Sequence, residues 1–141
     1  MRGHALRMAI VAAALTAAVP AAHAEVSKED AAVAVAEQWL AMVDGGQYAD
    51  AWTAGAKYFK DAITQDQWKA TLNAVRTPLG AVEARQKMGA VYQTQLPGAP
   101  DGEYVVIQYK TAFANKKEAI ETVTPALDAD GTWRVSGYYI R

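Results

Sequence analysis

The chain has 141 residues, 52% of them hydrophobic, with no cysteine and a formal net charge of −1. Both histidines, His4 and His23, fall in the first 24 residues, so residues 25–141 carry neither imidazole nor thiol. That excludes the usual zinc ligand sets, a histidine-based catalytic triad and thiol redox chemistry from this stretch. The slightly acidic balance also gives no electrostatic grip on nucleic acid.

At the start, Arg2, His4 and Arg7 precede an apolar run from Met8 to Val19, followed by Pro20 and the small residues around Ala22-His23-Ala24. This is the three-part pattern of a secretory signal peptide. Met8 to Ala22 is fifteen residues, short of the ~20 that span a bilayer. The pattern therefore predicts a signal peptide over residues 1–24, cleaved after Ala24. The product would be periplasmic or secreted and not embedded in the membrane. Losing Arg2 and Arg7 takes the 14 basic residues to 12 against 15 acidic ones, a net charge of −3. Residues 25–141 have the length of one domain able to bury a core without staples. With no disulfide possible, packing alone must hold it.

Ser27, with Asp30 three residues on, opens the first predicted helix, and Ala32, Val35, Ala36, Trp39, Leu40 and Val43 recur on one face. Asp44-Gly45-Gly46 ends it. A second helix is expected from Gln47 to about Tyr58, with Tyr48, Ala51, Trp52 and Gly55 on one side. Thr64 with Gln67 caps a third, whose stripe is Trp68, Leu72 and Val75. Pro78 disfavours helical geometry at Thr77, so this helix is expected to stop near Arg76. Beyond Gly80 the period changes. A strand is expected over roughly Val82 to Gln95, interrupted at Gly89. Pro97-Gly98-Ala99-Pro100-Asp101-Gly102 forms a turn. Val105, Ile107, Tyr109, Thr111 and Phe113 then share one strand face. Asn115-Lys116-Lys117 turns the chain into a strand over Glu118 to Leu127, and Asp130-Gly131 closes the last hairpin before Trp133, Val135 and Tyr139. Trp133 is expected to close the core between sheet and helices. The fold class is α+β, with three helices packed on an antiparallel sheet of about four strands.

Three segments carry a family resemblance: Arg76-Thr-Pro-Leu-Gly80, Leu96-Pro-Gly-Ala-Pro-Asp-Gly-Glu-Tyr104 and Thr132-Trp-Arg-Val-Ser-Gly-Tyr-Tyr139. Together they resemble an exported bacterial family known only as domain of unknown function 4019, over about Val33 to Arg141. That resemblance implies no activity and supplies no catalytic residue. The order of elements is also similar to the nuclear-transport-factor-2-like (cystatin-like) superfamily, which implies a curved sheet wrapping a helix into a cone. Its members include isomerases, dehydratases and non-catalytic binding domains, so the fold analogy leaves function open.

The chemistry the residues permit is narrow. No metal site or cofactor is expected. Asp128-Ala-Asp130-Gly131 places two carboxylates at alternate positions but reads as a hairpin turn. Of the two serines beyond the leader, Ser27 is a cap and Ser136 lies within a strand. Acid–base work by a carboxylate and tyrosines remains. Glu121, in mid-strand, is the candidate base if it faces a dry cavity, with Tyr109 as its partner and Tyr138 or Tyr139 as further donors. The competing reading pairs Glu121 with Arg76, Arg85 or Arg134 as a structural ion pair. Arg76, Tyr48 and Trp52 are the candidate ligand contacts, whereas Trp39 and Trp68 read as core. The expected function is non-enzymatic binding of a small molecule or partner protein. The alternatives are a small lyase or isomerase using Glu121 with tyrosine, and an accessory envelope protein acting as a homodimer through its sheet.

Overall fold

The computed structural model describes residues 12–18 and 25–141. Residues 12–18 form no helix or strand, and the signal-peptide expectation over 1–24 otherwise lies outside the described residues. Four helices come first: α1 (Lys28–Asp44), α2 (Tyr48–Thr53), α3 (Lys57–Ala62) and α4 (Gln65–Leu79). Four strands follow: β1 (Val82–Gln93), β2 (Tyr104–Phe113), β3 (Lys116–Leu127) and β4 (Trp133–Ile140). They form one antiparallel sheet in the order β1-β2-β3-β4. No helix among the described residues is long and apolar enough to cross a membrane.

Local signals set the helix starts. Ser27 accepts from the Asp30 amide at the head of α1, and Thr64 with Gln67 forms a complete capping box on α4. Each satisfies amides that the first turn leaves unpaired.

Two helical expectations are corrected. The segment expected as one helix from Gln47 to Tyr58 is two, giving four helices instead of three. The break falls at Gly55 and Ala56, where the Ala56 amide donates to the Val135 carbonyl of β4 at 2.8 Å. Gly55 also sits so close to Phe59 that a β-carbon would lie 2.5 Å from its ring. A contact with the sheet thus overrides the helical run. The other correction concerns α4, which passes through Pro78 to Leu79 instead of stopping near Arg76. Proline lacks the amide that would donate back to Ala74 and is disfavoured there, and Asn115 offsets this by capping the end. Its side-chain amide donates to the Pro78 carbonyl at 3.1 Å, and its backbone amide donates to the Leu79 carbonyl at 2.9 Å. Gly80 then turns the chain with a φ of 76°, a conformation natural to glycine.

α1 lies on one face of the sheet and touches all four strands. Ala32, Ala36, Trp39, Leu40 and Val43 of α1 meet Val105, Ile107, Tyr109, Val123 and Val135 in the main core. Trp39 is at its centre, tilted against Trp68 at 5.7 Å and edge-on to Tyr138 at 5.1 Å. Trp133, expected to close the core, is half-buried and packs at its rim, because β4 has only begun there. On the opposite face, the turn after β1 lays Leu96 and Ala99 over Tyr104 and Ala126.

Candidate functional site

Strand alternation brings Ala119, Glu121, Val123 and Pro125 of β3 to the face beneath α1, so Glu121 is 0% exposed. It stands opposite Tyr109 on β2 and Ile140 on β4. Its Oε1 accepts from Arg85 Nε at 2.8 Å and from Thr111 Oγ1 at 2.5 Å. Its Oε2 accepts from Arg85 Nη2 at 3.2 Å and from the Tyr138 hydroxyl. A carboxylate offers about four acceptor positions, and all four are taken.

The same guanidinium reaches a second carboxylate. Arg85 Nη1 donates to Asp44 Oδ2 at 2.7 Å and Nη2 to Oδ1 at 3.0 Å. Arg76 Nη2 also donates to Asp44 Oδ1, at 2.9 Å. Asp44 ends α1, where the helix dipole disfavours a negative charge; two guanidinium groups offset that. Arg76 sits in the last turn of α4, where a cation suits the dipole. Its guanidinium carbon lies 5.0 Å above the Phe113 ring, a cation–π contact. Two cations and two carboxylates make the cluster neutral as a whole.

Titration follows from these contacts. Burial pushes the Asp44 carboxyl up, but hydrogen bonds from Arg85 and Arg76 outweigh it and hold the group below its ordinary value. Arg85 is partly buried too, and its bonds to Asp44 and Glu121 raise it despite that burial. Burial, then the Glu121 charge, pushes the Tyr138 phenol far up. Burial, then the Glu37 charge, pushes Tyr109 up to about 12.

The sequence candidates separate in space. Tyr109 is buried beside Glu121, yet its hydroxyl has no hydrogen-bond partner among the described residues. Arg76 joins the cluster through Asp44, not through Glu121. Arg76 and Tyr48 line one pocket of about 230 Å³ at the ends of α1 and α4. Trp52 is elsewhere: its indole N–H donates to the Ile63 carbonyl at 2.9 Å and ties α2 to the segment before α4. In the sequence Arg85 reads only as one of three ion-pair partners for Glu121, and Asp44 only as a helix terminator. No spacing in the sequence links them, because 41 residues separate Asp44 from Arg85. Asp128 and Asp130 are both clamped by Arg134, at 2.9 and 2.8 Å, within the β3–β4 turn.

Two further concave surfaces stand out. An apolar groove of about 220 Å³ lies between α4 and β4, with Trp68, Leu72, Val75, Tyr138, Tyr139 and Ile140 among its walls. A wider, more open one of about 460 Å³ lies on the outer face of the sheet, around Met88, Val91, Leu96 and Val106.

Against family models, residues 35–138 match the family described as a protein of unknown function (DUF4019). The match covers most of the chain, and the chain belongs to that family. None of the curated proteins matches it.

Proposed function

We propose that this DUF4019 member is an exported binding domain and not an enzyme. Its leader would be removed after Ala24, and the domain would work in the periplasm or outside the cell, holding a small, partly apolar molecule between α4 and β4. The observation that carries this reading is the saturation of Glu121: with every acceptor position filled inside a neutral cluster, it has no lone pair to offer a substrate proton. The lyase or isomerase alternative would need that carboxylate open to a cavity. The α4–β4 groove supports the binding reading, because its aromatic and aliphatic walls match what small-molecule sites use. Tyr138 is one of those walls, and its hydroxyl is held by Glu121. The helix-then-meander order supports a cystatin-like cone as the frame for such a site.

The test is Nile red fluorescence against the exported protein. Saturable enhancement is expected, and Val75→Glu should abolish it while the thermal midpoint holds. A dye signal that never saturates overturns the groove. Mass spectrometry of the exported product should find Glu25 at its amino terminus; an intact Met1 overturns cleavage.

A second reading, association through the sheet, is favoured by Met88 and Val91, which are 59% and 55% exposed on the outer face. Sedimentation over a concentration series separates it from the first.

A further inference from the structure

The sheet has two edges, and only one of them is guarded. At one side β4 has α3 packed against it, and the Ala56 amide takes its Val135 carbonyl at 2.8 Å. At the other side is β1, 12 residues long with none of them buried, and among the described residues no strand lies beyond it. An edge strand turns alternate amides and carbonyls outward, and natural sheets blunt that row with charges, bulges or a cover. The first half of β1 has such devices. Glu83, Arg85 and Lys87 fall there, as do both register shifts, at Val82/Ala84 and Lys87/Gly89. The second half has none: Gly89 to Gln93 runs in unbroken register against β2, with no charge and no proline. Exposed Met88 and Val91 lie beside this bare backbone.

A second copy of the same segment fits it. Antiparallel pairing about a two-fold axis matches each outward N–H of one copy with an outward carbonyl of the other. With the axis at Val91, the two Val91 side chains meet on the outer face. There Gly89, which has open space where a β-carbon would stand, faces the longer Gln93 of the second copy. On the face beneath α1, small Ala90 lies opposite the second copy's Tyr92, so each large side chain meets a small one. Lys87 falls outside the paired stretch, and no like charges are opposed. The groove around Met88, Val91, Leu96 and Val106 runs on into its own image across the axis. An extended peptide from another protein could use the backbone but would not bring this match of sizes. We propose that the chain forms a homodimer by pairing the Gly89–Gln93 edges of two copies, so that two four-stranded sheets become one. This dimer rests on the reading of association through the sheet, and gives that association one edge and one register. A ladder this short covers less than the ~1,000 Å² of a stable interface, so the dimer is weak, populated in concentrated solution and dissociated in dilute samples.

Because the chain has no cysteine, engineered ones read the register directly. Residues opposite each other in an antiparallel ladder have α-carbons ~4.5–5.5 Å apart, within the ~4.4–6.8 Å that a disulfide spans. Val91→Cys should therefore cross-link to itself under mild oxidation. Tyr139→Cys, equally exposed on β4, should do so about tenfold more slowly, since pairing does not raise its local concentration. Gln93→Cys is ~13 Å from its own image and should also be slow alone, yet fast when mixed with Gly89→Cys; that mixture serves if Val91→Cys does not fold. Sedimentation of the wild type in concentrated solution should show the dimer. A monomer at every concentration overturns sheet association and this dimer with it. A wild-type dimer with Val91→Cys no faster than Tyr139→Cys overturns the edge pairing alone and leaves association through another part of the sheet.

Discussion

On the face of the sheet beneath α1, Glu121, Thr111, Arg85 and Tyr138 turn their polar atoms onto one another, and the Glu121 carboxylate at their centre is closed to solvent. On the opposite face, residues from the same strands stay open. Val91 of β1 stands beside Val106 of β2, and Gln108 beside Gly89, around a wide shallow groove. The strands are shared, so the difference comes from what covers each face. Under a helix, a charge is tolerated only inside a closed set of partners, because an unpaired one would lose its hydration for nothing. In the open, glutamines and exposed valines cost little and can be left unpaired.

Breaking the closed face should have the largest effect. Glu121→Ala removes one partner of a buried pair and should destabilise by ~3–5 kcal/mol, read from urea denaturation. Glu121→Leu with Arg85→Met should recover much of that loss, since apolar replacement of a whole buried pair is often neutral. A single variant at wild-type stability would mean that Glu121 is not held as described. Trp39→Ala tests the aromatic half of the same face. Trp39 is 2% exposed and its indole N–H donates to the Ala51 carbonyl. The cost should again be ~3–5 kcal/mol, whereas Trp133→Ala, at the rim, should cost clearly less.

These two sites also mark what the sequence reveals. Trp39 falls on a helical stripe, so its place in the core is a local pattern. The caps at Ser27 and Thr64 and the turn at Asp130-Gly131 are equally local, and the structure has them where the residues point. The split at Gly55 and the run through Pro78 are not local: one depends on the Val135 carbonyl and the other on Asn115, both far along the chain. The cluster is hidden for the same reason. Arg85 meets Thr111 across β1 and β2 only because of a register shift between Val82 and Ala84, which no alternation pattern announces. Glu121 and Arg76 were visible as candidates, but Asp44, which joins Arg76 to Arg85, looked like nothing more than the end of a helix.

The closed face should also respond to acid. Asp44 has its native pKa below the ordinary value of 3.8. Its contribution to stability is therefore complete above that value and is lost as pH falls through the native one. Thermal midpoints followed into acid should drop more steeply for the wild type than for Asp44→Asn, whose curve starts lower. Parallel curves would show that Asp44 gains nothing from Arg85 and Arg76. Tyr109 and Tyr138 act at the other end: both are raised, so their share is complete below about pH 10 and is lost as pH rises further. A smaller effect belongs to the cap. Ser27→Ala should cost ~1 kcal/mol and touch neither face.

The smallest effect is expected on the open face, and it sharpens the comparison most. Val91 is 55% exposed and pairs with Val106 on the side away from α1. Val91→Thr keeps the branched β-carbon that suits a strand and exchanges one exposed methyl for a hydroxyl. The denaturation midpoint should shift by no more than ~0.5 kcal/mol, although the residue lies in the same sheet as Glu121. A loss of several times that size would mean that Val91 is covered in solution. Among the described residues nothing lies over that side chain, so a second copy of the chain is the first place to look for the missing contact. Sedimentation of wild type and Val91→Thr at matched concentrations would then decide: a wild-type dimer that the variant loses assigns the cover to a second copy, and two monomers mean that Val91 packs within its own chain more closely than its 55% exposure indicates.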